Sequence, residues 1–283
     1  MRDVFPWLNG LNGQVSNAAP LFFILGPCVI ESEYHTLKMA ESLKKLSIKL
    51  NFKFVFKSSY DKANRTSLKN YRGSGIDDGL RILSKVRADF DLPIITDVHE
   101  SWQVEPAAQV ADVLQIPAFL CRQTDLLIAA GQTDKVIHIK KGQFLTAESM
   151  EHAVKKIESA GNKNIWVCER GYTFGYNNLV VDYRNFLILK SLGKPVIFDA
   201  THAVQRPGGM GMATGGDRIF VPSLAAAAVT QGIAGLFLEV HDNPEAALSD
   251  GPNMVRLSEL EGLLSYLMEL DAWAKQKPVP VIS

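Results

Sequence analysis

The sequence predicts an α/β protein folded as one (β/α)8 barrel, and three observations predict it. Eight short runs rich in β-branched and aromatic residues recur along the chain, with gaps long enough for a crossover helix. No Gly-x-Gly-x-x-Gly follows any of them, which disfavours the rival arrangement, an open doubly wound sheet. Polar and charged residues gather at the C-terminal ends of these runs, where a closed parallel barrel carries its active site.

The first strand is expected over 21–25 and opens into Gly26, Pro27 and Cys28, then Glu31 and Ser32, before a helix over 34–48. The second, over 52–57, ends on Lys57 and enters the string KSSYDKANR at 57–65, where Lys57, Lys62 and Arg65 surround Ser58, Ser59 and Asn64. A lysine ending a core strand costs free energy unless an anion neutralises it. Phosphate suits this loop, since ammonium, guanidinium and hydroxyl groups all donate to its oxygens. After a helix over 77–90, the third strand at 94–97 ends on Asp97, with His99 beyond. The fourth, at 113–116, brings Gln115, and Arg122, Gln123 and Asp125 lie just past it. The fifth, at 136–140, ends on Lys140 and Lys141; His138, on the same face two residues deeper, is expected to fill the barrel. A helix over 147–160 precedes the sixth strand at 165–168, which leads to Glu169 and Arg170. The seventh, at 196–199, gives Asp199 and His202, and a helix over 224–230 leads to the eighth at 235–239, with Glu239 and His241. Residues 1–20 and 275–283 read as short terminal additions to a single domain spanning 1–283. The glycine-rich loop 208–216 reads equally as a lid or as a surface loop, and residues 1–20 as a barrel-bottom cap or a frayed end. Cys121, Cys168, Trp102, Trp166 and Trp273 are expected to be packing residues.

Composition narrows the function. The 283 residues are 47% hydrophobic and 21% charged, enough for one large core. With 30 basic against 30 acidic residues, the cations form local sites, and no nucleic-acid surface is expected. Three cysteines give no disulfide framework and suit a reducing cytoplasm. The start of the chain lacks a signal-peptide pattern. The apolar stretch 220–240 is long enough to span a membrane, but Pro222, Gln231, Gly232 and Gly235 divide it into a helix and a strand. The expectation is a cytoplasmic protein with no membrane segment.

Two chemical subsets stand out at the strand ends. Lys57, Lys62, Arg65, Arg122, Lys140 and Arg170 exceed what one phosphate needs, so two phosphorylated substrates, or a phosphate with a carboxylate, are expected. Cys28, His202, Glu239 and Asp250 combine sulfur, nitrogen and oxygen donors that suit Zn(II), Fe(II) or Mn(II). Taken singly, each reads as well as a buried thiol, a core histidine or a turn residue before Gly251.

The strings GPCVIES at 26–32, KSSYDKANR at 57–65, TDVH at 96–99, LQIPAFL at 114–120, FGYNNL at 174–179 and FDATH at 198–202 resemble the 3-deoxy-D-manno-octulosonate 8-phosphate synthases, also called 2-dehydro-3-deoxyphosphooctonate aldolases. The resemblance runs in register from about residue 21 to about residue 270. It implies a TIM barrel, assembled as a homotetramer, that condenses phosphoenolpyruvate with D-arabinose 5-phosphate and water, releases phosphate and feeds lipopolysaccharide synthesis. It implies that Lys57, Ser59, Lys62, Gln115, Arg122, Lys140 and Arg170 hold phosphoenolpyruvate. Asn64, Arg65, Thr66 and Ser67 would hold the sugar phosphate, Asp97 and His99 the sugar chain, and one of the arginines would reach across a subunit interface. Lys57, Lys62, Lys140, Arg170, His202 and Asp250 would form the catalytic set. The family has a metal-dependent branch with Cys at the position of Cys28 and a metal-independent branch with Asn there. The resemblance therefore implies a divalent metal held by Cys28, His202, Glu239 and Asp250.

Three other readings stand beside it. A related synthase joins phosphoenolpyruvate to erythrose 4-phosphate, but usually carries Lys-Pro-Arg-Thr where this chain has KANR at 62–65. A Schiff-base aldolase would use a strand-end lysine as nucleophile. A phosphosugar sensor would bind without turnover.

Overall fold

The computed structural model describes residues 5–8, 14–64, 67, 69–173, 178–206 and 215–280. Eight parallel strands follow one another around a sheet: β1 (Phe22–Gly26), β2 (Phe54–Lys57), β3 (Ile94–Asp97), β4 (Val113–Ile116), β5 (Val136–Lys140), β6 (Ile165–Glu169), β7 (Val196–Asp199) and β8 (Gly235–His241). β8 pairs back onto β1, with Phe22 opposite Gly235 and Gly26 opposite Glu239, so the sheet closes. The helices are α1 (Glu33–Leu50), α2 (Ile76–Phe90), α3 (Ser101–Ala108), α4 (Thr124–Gly131), α5 (Met150–Ser159), α6 (Arg184–Ser191), α7 (Val221–Val229) and α8 (Leu257–Gln276). Parallel neighbours need a crossover connection, and α1 to α7 supply one between each successive pair. The (β/α)8 barrel read from the sequence is the fold the chain adopts.

Strand alternation creates two apolar layers. Phe23 and Leu25 join Leu43 of α1 and Leu83 of α2 in the layer between sheet and helices. Phe22, Ile24, Val55, Ile95, Trp166, Ile197 and Phe237 fill the barrel itself. Helix α1 shows how local chemistry delivers this packing. Ser32 caps it by accepting the His35 N–H at 3.1 Å, and Asn51 ends it in the left-handed region. Between the caps, Met39, Ala40 and Leu43 recur at helical spacing and form its buried stripe.

The described part of residues 1–20 lies against the N-terminal end of the barrel. Leu8 and Val15 join the inner layer, and the Trp7 ring meets Phe22 edge-on at 5.9 Å. Asn17 accepts from Val196 N at 2.8 Å and donates to Lys194 O at 3.0 Å. The opposite end, where every strand finishes in a polar loop, is left for chemistry. Gly26 permits close approach there: with φ at +154°, a Cβ would stand 1.9 Å from Lys57 O.

Some expectations shift. β1 and α1 move by a residue or two, a boundary effect of fraying ends. Among the described residues, the 220–240 stretch divides into α7 and β8, and no helix is long and apolar enough to cross a membrane. Trp166 is a packing residue, but Trp102 and Trp273 are 64% and 55% exposed, because their helices α3 and α8 turn those positions away from the sheet. Helix α8 runs to Gln276, so the tail begins later than residue 275. Short ribbons at 172–173 with 179–180 and 205–206 with 215–216 had no signal in the strand pattern, being only two residues each. Arg65, Thr66, loop residues 208–214 and residues 281–283 lie outside the described residues.

Candidate active site

A cavity of about 800 Å³ opens at the C-terminal ends of the strands. Strand ends fix backbone positions, so side chains there stand in a rigid ring rather than on loose loops. Lys62, Asn64, Asp97, His99, Gln115, Lys140, Arg170, His202 and Asp250 all line the cavity.

One side of the ring centres on Glu239, the fifth residue of β8. Lys57 Nζ donates to Glu239 Oε1 at 2.6 Å and to Cys28 O at 2.8 Å. Lys62 Nζ lies 3.9 Å from the same carboxylate oxygen and His202 Nε2 3.6 Å from it. Burial opposes ionisation of Glu239, but the charges of Lys57, His202 and Lys62 prevail and hold it well below the usual carboxylate range. Glu239 Oε2 is buried and has no hydrogen-bond partner among the described residues. Cys28, beyond β1, sets Sγ 2.9 Å from Ser249 Oγ and 3.4 Å from Asp250 Oδ2. Burial, then the Glu239 charge, pushes its thiol upward.

The other side centres on Asp199 at the end of β7. Its Oδ2 accepts from Lys140 Nζ at 2.5 Å and lies 2.7 Å from His202 Nδ1, while Oδ1 accepts the His202 N–H at 2.9 Å. Burial works against ionised Asp199, but His202 and Lys140 hold its carboxyl well below the usual range. With Nδ1 turned to Asp199, His202 presents Nε2 to Glu239 and, at 4.0 Å, to Asp250 Oδ2. Arg170 donates to His202 O at 3.2 Å and to Gln205 Oε1 at 2.5 Å. Between the two sides, Asp97 Oδ1 accepts from the Ser59 hydroxyl and Oδ2 lies 3.0 Å from His99 Nε2. Gln115 is buried, with Oε1 unpartnered among the described residues.

The donor set passes a chemical test for a divalent ion. Sγ of Cys28, a carboxylate oxygen of Glu239 and one of Asp250 lie within 4.8 Å of one another. His202 faces the same carboxylates with the nitrogen opposite its Asp199 contact, the arrangement by which a carboxylate orients a metal-ligating imidazole. The unpartnered Glu239 oxygen has the spare lone pairs a cation takes.

Of the described expected residues, Cys28, Lys57, Ser59 and Glu239 are buried behind the cavity lining, while Ser67 and Arg122 stand apart from it. The Ser67 hydroxyl accepts from the nearby Lys69 N–H at 3.3 Å and its carbonyl from the Asn70 N–H at 3.1 Å, and Arg122 is exposed beyond β4. His138 lies inside the barrel, stacked on Phe237 at 6.2 Å and held neutral by burial, which lowers it to about 3. Asp199 was visible in the sequence as a polar strand end, but nothing in its spacing marked it as the partner of both Lys140 and His202. Gln205 and Ser249 had no sequence signal at all.

The family model described as the DAHP synthetase I family matches residues 11–276. A 2-dehydro-3-deoxyphosphooctonate aldolase of Trichlorobacter lovleyi is 57% identical over 252 residues, covering 89% of this chain and 93% of that protein. Proteins of the same name from a Cyanothece species and from Desulfatibacillum aliphaticivorans are each 54% identical. The first alignment covers 90% of this chain and 94% of the relative, the second 95% and 98%.

Proposed function

The chain belongs to the DAHP synthetase I family, and we propose that it works there as a 3-deoxy-8-phosphooctulonate synthase of the metal-dependent kind. The activity is the condensation of phosphoenolpyruvate with D-arabinose 5-phosphate and water. C3 of phosphoenolpyruvate bonds to the aldehyde carbon, whose oxygen takes up a proton. A water oxygen bonds to C2 and loses its protons, the C2–O bond to phosphorus breaks, and inorganic phosphate leaves with that electron pair. A ketone remains at C2.

The observation that carries this reading is the double ring of cations and carboxylates around one cavity. Phosphoenolpyruvate bears two anionic ends, and Lys57, Lys62, Gln115, Lys140 and Arg170 converge from four strand ends and the loop after β2. Fixed donors of this kind hold charge in place without reorganisation as the reaction proceeds. Ser59, whose hydroxyl is tied to Asp97, would join them. Asp97, His99 and Asn64 line the side left for the sugar, and Arg65, Thr66 and Ser67, which follow Asn64 in the sequence, would hold the sugar phosphate. Asp250 borders the cavity and can accept the proton that water loses. A divalent ion on Cys28, His202, Glu239 and Asp250 would supply Lewis-acid polarisation of one reactant. Arg122, exposed on one protomer, suits a role at a neighbouring protomer's cavity in a homotetramer. The substrates are soluble metabolites, which fits a cytoplasmic enzyme.

Phosphate release tests the reading. Turnover is expected with phosphoenolpyruvate plus arabinose 5-phosphate, falling on EDTA treatment and returning with Zn(II), Fe(II) or Mn(II). Turnover with erythrose 4-phosphate alone would move the assignment to the sister reaction, and chelation-resistant turnover would remove the metal from it.

A further inference from the structure

Directly behind the substrate cations lies a second lysine–glutamate pair that does not line the cavity. Lys141 follows Lys140 at the end of β5, and Glu169 ends β6 immediately before Arg170. Both side chains are 0% exposed, and Lys141 Nζ lies 3.4 Å from Glu169 Oε1. Chain alternation accounts for the placement: successive residues at a strand end face opposite sides, so Lys140 and Arg170 meet the cavity while Lys141 and Glu169 turn away.

The pair is tied into both loops. Glu169 Oε1 accepts the backbone N–H of Arg170 at 2.8 Å and of Gly171 at 2.6 Å, and Oε2 accepts from Asn185 Nδ2 at 2.7 Å. Lys141 Nζ reaches Gly142 O at 3.3 Å, and Leu145 O and Gly171 O at 3.4 Å each. It also stands 3.6 Å from the centre of the Tyr172 ring, whose hydroxyl donates to Asn185 Oδ1 at 3.1 Å. Gly171 turns the chain with φ at +89°, which makes both consecutive amides available to one carboxylate. Taking two charges out of water is expensive, and well-packed apolar residues of similar size are often at least as stable. Stability alone therefore gives no reason for this pair. Its position supplies one, since the bonds to the Arg170 and Gly171 amides and to the Gly142 and Gly171 carbonyls fix backbone within two residues of Lys140 or Arg170.

We propose that Lys141 and Glu169 form a positioning latch that sets Lys140 and Arg170 at the spacing the enolpyruvate anion needs. The latch rests on the function proposed above and adds to it two residues that never touch substrate. A misplacement of about 1 Å in a reacting array can cost about a hundredfold in rate, so a loosened latch is felt at one substrate and not at the other.

The decisive comparison uses wild type, Glu169→Gln, Lys141→Met and the double variant, which removes both charges and leaves none unpaired. The double variant is expected to regain the melting temperature that each single variant loses. Its phosphoenolpyruvate KM should still rise roughly tenfold or more and its kcat fall, while the KM for arabinose 5-phosphate stays within about twofold. A folded double variant with wild-type constants would overturn the latch, as would equal changes in both KM values. Should the charge variants fail to fold, Tyr172→Leu keeps the ion pair and removes its ring contact together with the hydroxyl bond to Asn185. It is expected to weaken phosphoenolpyruvate binding selectively in calorimetric titration, and unchanged binding would overturn the latch. Wild-type enzyme that releases no phosphate from the two substrates would count against the proposed function instead.

Discussion

Two buried lysine–glutamate pairs end strands of this barrel, and they are finished differently. Lys57–Glu239, joined at 2.6 Å, lies just behind the cavity lining, with Glu239 Oε1 3.9 Å from Lys62, which does line it, and one oxygen of its carboxylate has no partner among the described residues. In Lys141–Glu169 both oxygens are taken, one by two backbone amides and the other by Asn185. Desolvation is costly in both places. A buried carboxylate with spare lone pairs beside a cavity has capacity for a cation or substrate, whereas a saturated one can only hold structure. The contrast separates binding groups from framework without any appeal to burial, which is the same in the two pairs.

The strongest way to break this contrast is to neutralise each glutamate. Glu239→Gln and Glu169→Gln each leave a buried lysine uncompensated, so each should lose about 3–5 kcal/mol of unfolding free energy in denaturant titrations. If the proposed metal site holds, only Glu239→Gln should also lose a bound divalent ion, measured as metal content after gel filtration, and with it turnover. Equal metal loss in both variants would erase the distinction.

Cys28 sharpens the comparison on the cavity side. Cys28→Ala removes the only sulfur donor of the set, and metal content should vanish while activity falls at least about a hundredfold, the upper end of what even outer-shell changes cost. Cys28→Asn is a different case. Its amide can donate to Asp250 Oδ2, as the thiol does at 3.4 Å, and so satisfies that carboxylate without an ion. This variant is expected to be metal-free yet to keep activity that EDTA does not touch. Metal retained by Cys28→Ala would show that the other three ligands suffice.

Much of this was legible in the sequence because barrels place chemistry by rule. Strand ends are found by apolar runs, and Lys57, Asp97, Lys140, Asp199 and Glu239 each end or nearly end one. The family strings then suggested roles that spacing could not, since the candidate ligands Cys28, His202, Glu239 and Asp250 are scattered along the chain. What stayed hidden depends on three-dimensional pairing. Nothing local shows that Asp199 meets both Lys140 and His202, or that Glu169 spends its carboxylate on the two amides that follow it. Trp102 and Trp273 misled for a related reason: hydrophobicity argues for burial, but helix phase decides it, and these two positions face outward.

Asp97–His99 is the intermediate case, and it carries the smallest expected effect. Asp97 uses both oxygens, one for Ser59 and one for His99, while His99 Nδ1 is buried without a partner among the described residues. Burial disfavours the imidazolium, but the hydrogen bond and charge of Asp97 outweigh it and raise His99 above its ordinary value. Burial likewise opposes ionised Asp97, and His99 and Lys62 hold it well below the usual range. A raised histidine contributes its full stability below the unfolded value of about 6.5 and loses it as pH climbs through the folded value. A depressed carboxylate contributes above its unfolded value of about 3.9 and loses that only in strong acid. Between about pH 5 and pH 9 the histidine alone therefore changes the balance. The stability gap between wild type and His99→Gln, followed by urea unfolding, should be widest at the acid end of that window and narrow toward the alkaline end. A gap that widens with pH would mean that the fold prefers neutral imidazole, and His99 would then belong with the saturated framework rather than with the groups held ready for substrate.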